Sequence, residues 1–347
     1  MIENRKEDHI NICLEEDVTA GYDYWDMIRF FHRAAPEIDM DEISVESEFL
    51  GKKISAPVVI SAITGGYSGA TDINKRIAAA GEKLNIPIGV GSQRAALEDD
   101  KHRDSYSVVT EYDVPLIFGN IGAPQLIEQK GKRAFNIEDC KNALDMINGD
   151  YLAVHFNYLQ EVIQPEGDYR GSGLLCALED LTKEVPIIAK ETGAGVSSDI
   201  ALEFKKAGVK AIDIGGMGGT SFSAVEYFRT KDENQKQLAQ LLWDWGIPTP
   251  VSIIECRRSV NLPLISTGGI TNGLQAAKAL ALGADSVGIA GAILPMAVRS
   301  HEKIVSFVDN LIHELKTVMF LLGCKNLDEL KDTRMIITDE LRDWLDS

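Results

Sequence analysis

Short apolar runs alternate along the chain with longer amphipathic segments. The runs consist largely of Val, Ile and Ala without polar alternation, which is typical of parallel strands buried on both faces. The predicted strands span residues 57–63, 86–90, 115–118, 151–156, 186–189, 211–214, 263–266 and 285–289. Predicted helices lie between them at 71–84, 103–112, 137–147, 174–183, 198–207 and 273–282, and a helical tail follows the last strand.

Eight strand–helix units over about 250 residues are the number and size of a (β/α)8 barrel. A doubly wound open sheet would gather its motifs at a topological switch point, whereas polar and glycine-rich motifs here follow nearly every strand. We therefore expect an α/β fold, a (β/α)8 TIM barrel over residues 51–347 with C-terminal helices. Residues 1–50 are expected to form an N-terminal extension packed on the barrel. The long segment 222–250 contains Trp243 and Trp245, expected at the barrel wall or a subunit interface.

Composition and charge narrow the class of protein. Of 347 residues, 45% are hydrophobic and 25% are charged, as in ordinary globular proteins. No run approaches the roughly 18 apolar residues of a membrane span, and residues 1–8 lack the apolar core of a signal peptide, which favours a cytoplasmic protein. The net charge of −18 argues against nucleic acid or an anionic membrane as partner. The 5 scattered cysteines and 6 histidines show no disulfide or zinc spacing.

The most unusual stretch follows the fourth predicted strand. His155, Asn157, Gln160 and Glu161 bring an imidazole, two carboxamides and a carboxylate to one strand end. Polar groups so crowded are costly to bury unless they are used, although a solvated loop with helix-capping residues is the alternative. The segment 165–168, which reads Pro-Glu-Gly-Asp, predicts a turn or lid rather than a helix.

The other strand ends combine glycines with single polar or basic side chains. Arg94 follows the second strand and can fork onto phosphate oxygens, or form only a salt bridge at a helix start. Lys190 ends the fifth strand, where an ammonium group needs an anionic partner such as a flavin ring or a phosphate. Residues 267–270 and 290–291 occupy the phosphate-binding corner common in such barrels, which favours FMN. No Rossmann dinucleotide fingerprint is present.

Together these motifs resemble the type 2 isopentenyl diphosphate isomerases, FMN-dependent enzymes of isoprenoid biosynthesis. The likeness covers most of the chain, and its motifs are Arg5-Lys6, Thr64-Gly65-Gly66, Gly91-Ser92-Gln93-Arg94, His155-x-Asn157-x-x-Gln160-Glu161, Pro165-Glu166-Gly167, Lys190-Glu191 and Gly218-Gly219-Thr220-Ser221. Ile63 stands where the family often has Met, and Phe222 where Trp is frequent. Neither departure removes a polar group.

The resemblance implies a role for each motif. FMN would be held by Ala62, Ile63, Thr64, Ser92, Asn120, Lys190, Thr220, Gly268, Gly269, Ile270, Ala290 and Gly291. The substrate's diphosphate would meet Arg5, Lys6, Ser92, Gln93, Arg94, His155 and Asn157. Gln160 would be the catalytic residue over the isoprene unit, and Glu161 would hold Mg²⁺. The resemblance further implies NAD(P)H as reductant of the flavin and a homo-oligomer, a tetramer or octamer.

The implied reaction adds a proton at one carbon and removes one from another, with no net redox change. No Asp, Cys or Lys at the strand ends looks suited to protonate an alkene, whereas a reduced flavin can act as acid and base at N5.

Other FMN barrels are the first alternative, but their chemistry needs other residues. A 2-hydroxy acid oxidase needs a histidine base and an arginine clamp after the sixth strand, where residues 215–221 supply neither. A dihydroorotate-type oxidoreductase is another FMN barrel of this first alternative. An inosine monophosphate dehydrogenase needs a nucleophilic cysteine in a comparable loop, and no cysteine lies between Cys176 and Cys256. A non-catalytic flavin-binding module, the second alternative, would have no use for Gln160 and Glu161.

Overall fold

A computed structural model describes residues 2–346, with side chains described from Arg5 onward. Three short strands precede the main sheet: β1 (Ile28–Phe30), β2 (Ser47–Phe49) and β3 (Lys52–Ile54). The main sheet is a closed parallel barrel in the order β10-β11-β4-β5-β6-β7-β8-β9. Its strands are β4 (Val58–Ile60), β5 (Ile88–Gly89), β6 (Ile117–Gly122), β7 (Tyr151–Phe156), β8 (Ile187–Glu191), β9 (Ala211–Asp213), β10 (Leu264–Ser266) and β11 (Ser286–Ile289). The predicted (β/α)8 barrel is confirmed.

All eight predicted strands are present, but only the fourth, residues 151–156, has the predicted bounds. The first is shorter than predicted, because residues 61–64 leave the ladder and line a cavity instead. The third extends to Gly122, since β6 pairs with β7 as far as Gly122 beside His155. Apolar strand residues such as Ile60 and Ile88 are fully buried, which accounts for the lack of polar alternation in the sequence.

Helices surround the barrel. They are α1 (Ile2–Glu15), α2 (Ala70–Leu84), α3 (Arg94–Glu98), α4 (Asp104–Ser107), α5 (Ile137–Asp145), α6 (Tyr158–Ile163), α7 (Leu174–Thr182), α8 (Ser198–Lys206), α9 (Phe222–Arg229), α10 (Glu233–Leu241), α11 (Thr249–Ser259), α12 (Gly273–Ala281), α13 (Leu294–Ala297), α14 (His301–Leu322), α15 (Leu327–Lys331) and α16 (Asp339–Asp346). The helix predicted at 103–112 is a short α-helix followed by a 3₁₀ helix, Val108–Glu111.

The segment between the sixth and seventh barrel strands is folded rather than irregular. It contains α9 and α10 and leads into α11, none of which the sequence pattern predicted. Trp243 packs against Tyr227 and Phe228 with ring centroids 5.8 and 6.1 Å apart. Trp245, by contrast, is 63% exposed.

The N-terminal segment is tied to the C-terminal tail. Strand β1 pairs antiparallel with β12 (Met335–Ile337), in the register Ile28 with Ile337. Next to β1, Trp25 is 2% exposed, and its carbonyl accepts a hydrogen bond from Lys278 Nζ at 2.7 Å. The division of the chain at residue 50 remains a prediction, and the hairpin of β2 and β3 passes through that point.

Within residues 2–346, no helix combines the length and the apolar character that crossing a bilayer requires.

We expect Trp25→Ala to lower the free energy of unfolding by about 3–5 kcal/mol, because it leaves a large cavity between the N-terminal segment and the barrel. Trp245→Ala is the matched control, because its exposed side chain should matter by less than about 0.5 kcal/mol. Urea denaturation followed by far-UV circular dichroism measures both. Equal effects of the two substitutions would contradict this account of the N-terminal packing.

Candidate active site

A cavity of about 760 Å³ opens at the carboxyl ends of the barrel strands. This volume lies within the range of small-molecule and cofactor sites. Nineteen residues named from the sequence line the cavity: Arg5, Lys6, Ala62, Ile63, Thr64, Ser92, Arg94, Asn120, His155, Asn157, Gln160, Glu161, Lys190, Thr220, Gly268, Gly269, Ile270, Ala290 and Gly291. Their roles as ligand-binding residues remain predictions.

Gln93 is the exception, and the structure corrects its assignment. Its side chain is fully buried away from the cavity, with Nε2 donating to Ala143 O at 2.6 Å. Gln93 Oε1 accepts from Asn120 N at 2.8 Å, and Gln93 N donates to Asn120 O at 2.8 Å. Nε2 also donates to Met146 Sδ at 3.6 Å, so this carboxamide connects the loop after β5 to β6 and α5 and has no donor left for a substrate.

Helix α1 brings Arg5, Lys6 and His9 to the cavity mouth. Lys6 Nζ donates to Ser92 O at 2.6 Å and to Tyr106 Oη at 2.7 Å. Burial, together with the charges of Arg5 and Arg94, lowers the pKa of Lys6 to about 7. The basic pair thus lies on a docked helix, not on a solvated terminus.

Arg94 is held between two carboxylates. Its Nε donates to Glu98 Oε1 and its Nη1 to Asp168 Oδ2, both at 2.8 Å. Burial alone would lower the pKa of Arg94, but these two partners raise it overall. The guanidinium therefore stays charged with a fixed orientation at the cavity wall.

His155 is neutral in this environment. Burial, followed by the charges of Lys190, Lys6 and Arg5, lowers the pKa of His155 to about 3. Its Nδ1 lies 2.6 Å from Asn120 Oδ1, an arrangement in which Nδ1 carries the proton and Nε2 is an acceptor. To donate to a diphosphate oxygen, Nε2 would have to carry the proton instead of Nδ1. The Asn120 amide would then have to turn, so that its NH₂ group donates to Nδ1.

Glu161 is buried and lies at the centre of a group of amides. Its Oε1 accepts from Asn157 Nδ2 at 3.0 Å, and its Oε2 from Gln164 Nε2 at 2.5 Å and Asp168 N at 2.6 Å. Because a carboxylate only accepts, both side-chain amides turn their NH₂ groups towards it. The carbonyl oxygens Asn157 Oδ1 and Gln164 Oε1 are consequently buried without a partner.

Glu226 on α9 is a site residue that the sequence did not reveal. Its Oε1 accepts from Gln160 Nε2 at 3.1 Å and lies 2.9 Å from His9 Nε2, while Oε2 accepts from Arg229 Nε at 2.7 Å. Burial would raise the pKa of Glu226, but His9, Arg229 and Gln160 hold it below its usual value. The sequence feature that could have indicated this residue is a single glutamate within the apolar run Ala224-Val225-Glu226-Tyr227-Phe228.

Glycines shape the wall after the sixth and seventh barrel strands. Gly268 and Gly269 have φ of +113° and +78°, which side-chain-bearing residues rarely adopt. A Cβ on Gly269 would lie 2.3 Å from Gly218 O, so the two loops touch through their backbones. Residues 18–20 run along this wall, since Ala20 N donates to Gly219 O and Ser221 N to Val18 O.

Lys190 has an anionic partner within the protein. Its Nζ lies 2.7 Å from Asp213 Oδ2, and Asp213 Oδ1 accepts from Thr267 Oγ1. The next residue, Glu191, accepts four successive backbone N–H groups from residues 192–195, although burial still raises its pKa to about 7. The sequence analysis did not name Asp213, and it named Glu191 only as part of a motif, because strand-end carboxylates alone do not reveal their partners.

Comparison with known proteins identifies the family to which the chain belongs. A family model described as FMN-dependent dehydrogenase matches residues 152–337. An isopentenyl-diphosphate delta-isomerase from Archaeoglobus fulgidus is 46% identical over 99% of this chain and 98% of its own. That of Thermoplasma acidophilum is 45% identical over 100% of both chains. The chain belongs to the isopentenyl-diphosphate delta-isomerase family. The resemblance noted from the motifs is confirmed.

Solved structures with the same fold are more distant. The flavin-binding domain of baker's yeast flavocytochrome b2 superimposes with a TM-score of 0.65 at 17% identity, covering 89% of this chain and 75% of that one. A mandelate oxidase variant gives a TM-score of 0.61 at 12% identity, covering 97% and 98%. At these identities the likeness shows the fold alone.

We expect the affinity of this isomerase-family protein for inorganic diphosphate to fall as the pH rises through about 7, where Lys6 loses its proton. The slope should approach about tenfold per pH unit, because an anion binds the charged lysine. Calorimetric titrations at several pH values, in wild type and Lys6→Arg, measure it. The arginine variant keeps its charge over this pH range, whereas the ionisation of diphosphate itself is the same in both titrations. Identical pH profiles of wild type and Lys6→Arg would therefore contradict the role of Lys6.

Proposed function

We propose that the protein interconverts isopentenyl diphosphate and dimethylallyl diphosphate with bound FMN. The observation that carries the proposal is one cavity lined by a glycine-rich wall, the cations Arg5, Lys6 and Arg94, and the carboxamide of Gln160. Behind the cavity wall, Gln160 Nε2 is hydrogen-bonded to Glu226. Relatives that carry the isomerase name are 44–46% identical along nearly the whole chain, which supports it.

The cavity fits FMN. Its volume suits the cofactor, and the glycine wall at residues 218–219 and 268–269 gives a phosphate close access to the backbone. The residues that would hold FMN are Ala62, Ile63, Thr64, Ser92, Asn120, Lys190, Thr220, Gly268, Gly269, Ile270, Ala290 and Gly291. When bound and reduced, FMN would supply an acid–base group at N5 and an electron-rich ring.

The substrate's diphosphate would lie against Arg5, Lys6 and Arg94, which line the same cavity. This cluster gives a strongly anionic ligand several charge-assisted hydrogen bonds. Lys6 would bind in its charged form, so diphosphate binding would take up a proton above pH 7. Ser92, His155 and Asn157 would complete the diphosphate site, with His155 in the tautomer that donates through Nε2.

The surroundings of Glu161 fit Mg²⁺. One carboxylate and two orphaned carbonyl oxygens, Asn157 Oδ1 and Gln164 Oε1, are the oxygen donors that this cation prefers. Among residues 2–346, no group of three His, Cys, Asp or Glu side chains forms a complete metal site. The diphosphate and water would therefore have to supply the remaining ligands, so cation and substrate would bind together.

Gln160 and Glu226 would handle the proton on the protein side. A carboxamide is a poor acid, but it can position or relay a proton when its own N–H is held by a carboxylate. Glu226 lies behind Gln160, shielded from solvent, and keeps a negative charge because His9 and Arg229 flank it. That charge also favours a nearby carbocation-like centre in a water-poor cavity.

An oxidase function is not favoured. A hydroxy acid oxidase needs a base and a cationic clamp after the sixth strand, but the segment 215–221 is glycine-rich with neither histidine nor arginine. The proposal also includes NAD(P)H as reductant of the flavin and a cytoplasmic location. It further includes a homo-oligomer, for which the exposed side chains of Leu241 and Trp245 offer apolar surface.

The direct test combines a spectrum with an assay. The purified protein should show a flavin absorption spectrum or take up FMN stoichiometrically. With FMN, NADPH and Mg²⁺ it should convert isopentenyl diphosphate to dimethylallyl diphosphate. Chromatography that quantifies both the substrate consumed and the product formed measures this conversion. A flavin-loaded, reduced protein without isomerisation would falsify the proposal.

Glu226→Gln should slow turnover by roughly 10²- to 10⁴-fold, the range seen for lost proton-transfer groups. The affinities for FMN and isopentenyl diphosphate should stay near wild type, because Glu226 lies behind Gln160. Single-turnover kinetics and calorimetry separate these quantities. Glu233→Gln, at an exposed position on the neighbouring helix α10, is the control. Turnover of the Glu226 variant within twofold of that control would remove Glu226 from the mechanism.

A further inference from the structure

Asp168, at the end of the turn 165–168, makes contacts that the proposed chemistry leaves unexplained. Its side chain is 6% exposed and lies between two cations from different barrel loops. Oδ2 accepts from Arg94 Nη1 at 2.8 Å, and Oδ1 from Lys132 Nζ at 2.7 Å. Its backbone N–H donates to Glu161 Oε2 at 2.6 Å. One residue thus contacts both Arg94 and Glu161.

The turn holds Asp168 at a fixed place beside Glu161. Gly167 N donates to Gln164 O at 3.0 Å, which closes the turn after helix α6. A Cβ on Gly167 would lie 1.7 Å from Glu161 O, so only glycine lets the turn pack this closely. Asp168 therefore cannot shift without disturbing the backbone that carries Glu161.

Arg94 depends on Asp168 for its orientation. Its guanidinium donates one hydrogen bond from Nε to Glu98 and another from Nη1 to Asp168, and the two bonds together fix the plane of the group. The two carboxylates are not equivalent, because Glu98 is 42% exposed, while Asp168 is 6% exposed. Glu98 also lies four residues from Arg94 on the same helix, α3.

We propose that Asp168 is a positioning residue that fixes Arg94 relative to Glu161, so that the diphosphate-binding cation and the metal-binding carboxylate respond as one unit. The inference rests on the proposed function, in which Arg94 meets the diphosphate and Glu161 holds Mg²⁺. Its consequence is thermodynamic. Mg²⁺ on Glu161 would contact the diphosphate directly, and Asp168 holds Arg94 where it can contact the same diphosphate at the same time. Mg²⁺ therefore strengthens diphosphate binding, and diphosphate strengthens Mg²⁺ binding, only while Asp168 keeps Arg94 in place.

The test measures that coupling by equilibrium binding rather than turnover. Calorimetry gives the Kd of isopentenyl diphosphate for the oxidised FMN-loaded protein, with and without Mg²⁺. In wild type we expect Mg²⁺ to strengthen binding by roughly tenfold or more. In Asp168→Asn, which keeps the backbone N–H to Glu161 but removes the negative charge opposite Arg94, the enhancement should fall to about twofold or less.

Glu98→Gln is the matched control, since it removes the other carboxylate from Arg94 without touching the link to Glu161. It should keep the Mg²⁺ enhancement within about twofold of wild type. The flavin spectrum and thermal midpoint of each variant report on folding. If Asp168→Asn fails to fold, Arg94→Lys replaces it in the test. Lysine keeps the positive charge but cannot bind Glu98 and Asp168 through two separate nitrogens, so we expect the same loss of the Mg²⁺ enhancement.

Each outcome decides something different. Wild-type enhancement in a folded Asp168→Asn variant overturns the coupling and leaves the proposed function intact. An equal loss in Glu98→Gln also overturns it, because the loss would then follow from removing either carboxylate from Arg94, whether or not that carboxylate is linked to Glu161. If wild type itself binds the diphosphate without help from Mg²⁺, the metal part of the proposed function fails, and the coupling fails with it.

Discussion

Burying charge at the mouth of a barrel is the constraint on which this site depends. An unpaired charge in an enclosed cavity is expensive, and a carboxylate or ammonium group placed there needs a partner of opposite sign or several hydrogen bonds. The structure meets this requirement with fixed pairs, Lys190 with Asp213 and Arg94 with Asp168. Glu161 is an acceptor for amides alone, which leaves its negative charge available to a cation.

This pairing also explains why the N-terminal segment belongs to the site. Helix α1 lies across the mouth and contributes Lys6, whose contacts are oxygens of Ser92 and Tyr106, and His9, whose partner is Glu226. Strand β1 anchors the same segment to the C-terminal β12. The two ends of the chain therefore support an active site that is otherwise built from barrel loops.

The site is divided into regions with different physical demands. The glycine wall offers backbone groups and close approach, which suits a phosphate and a flat ring. The region of Lys6 and Arg94 offers cationic side chains, and the Gln160–Glu226 pair places a buried carboxylate behind a carboxamide that lines the cavity. A barrel can combine these because all eight strand ends face one opening, whereas each loop varies independently.

The sequence by itself determined the eight strands and the strand-end motifs, because both follow from local patterns of apolar residues and glycines. It also placed nineteen of the twenty site residues named from it at one cavity, since parallel strands in a barrel bring their carboxyl ends together. Only the tertiary structure decided that Gln93 turns inwards to join two strand ends, because its partner Ala143 lies 50 positions away. Likewise Glu226 meets Gln160 across 66 positions and His9 across 217, contacts that no local pattern encodes.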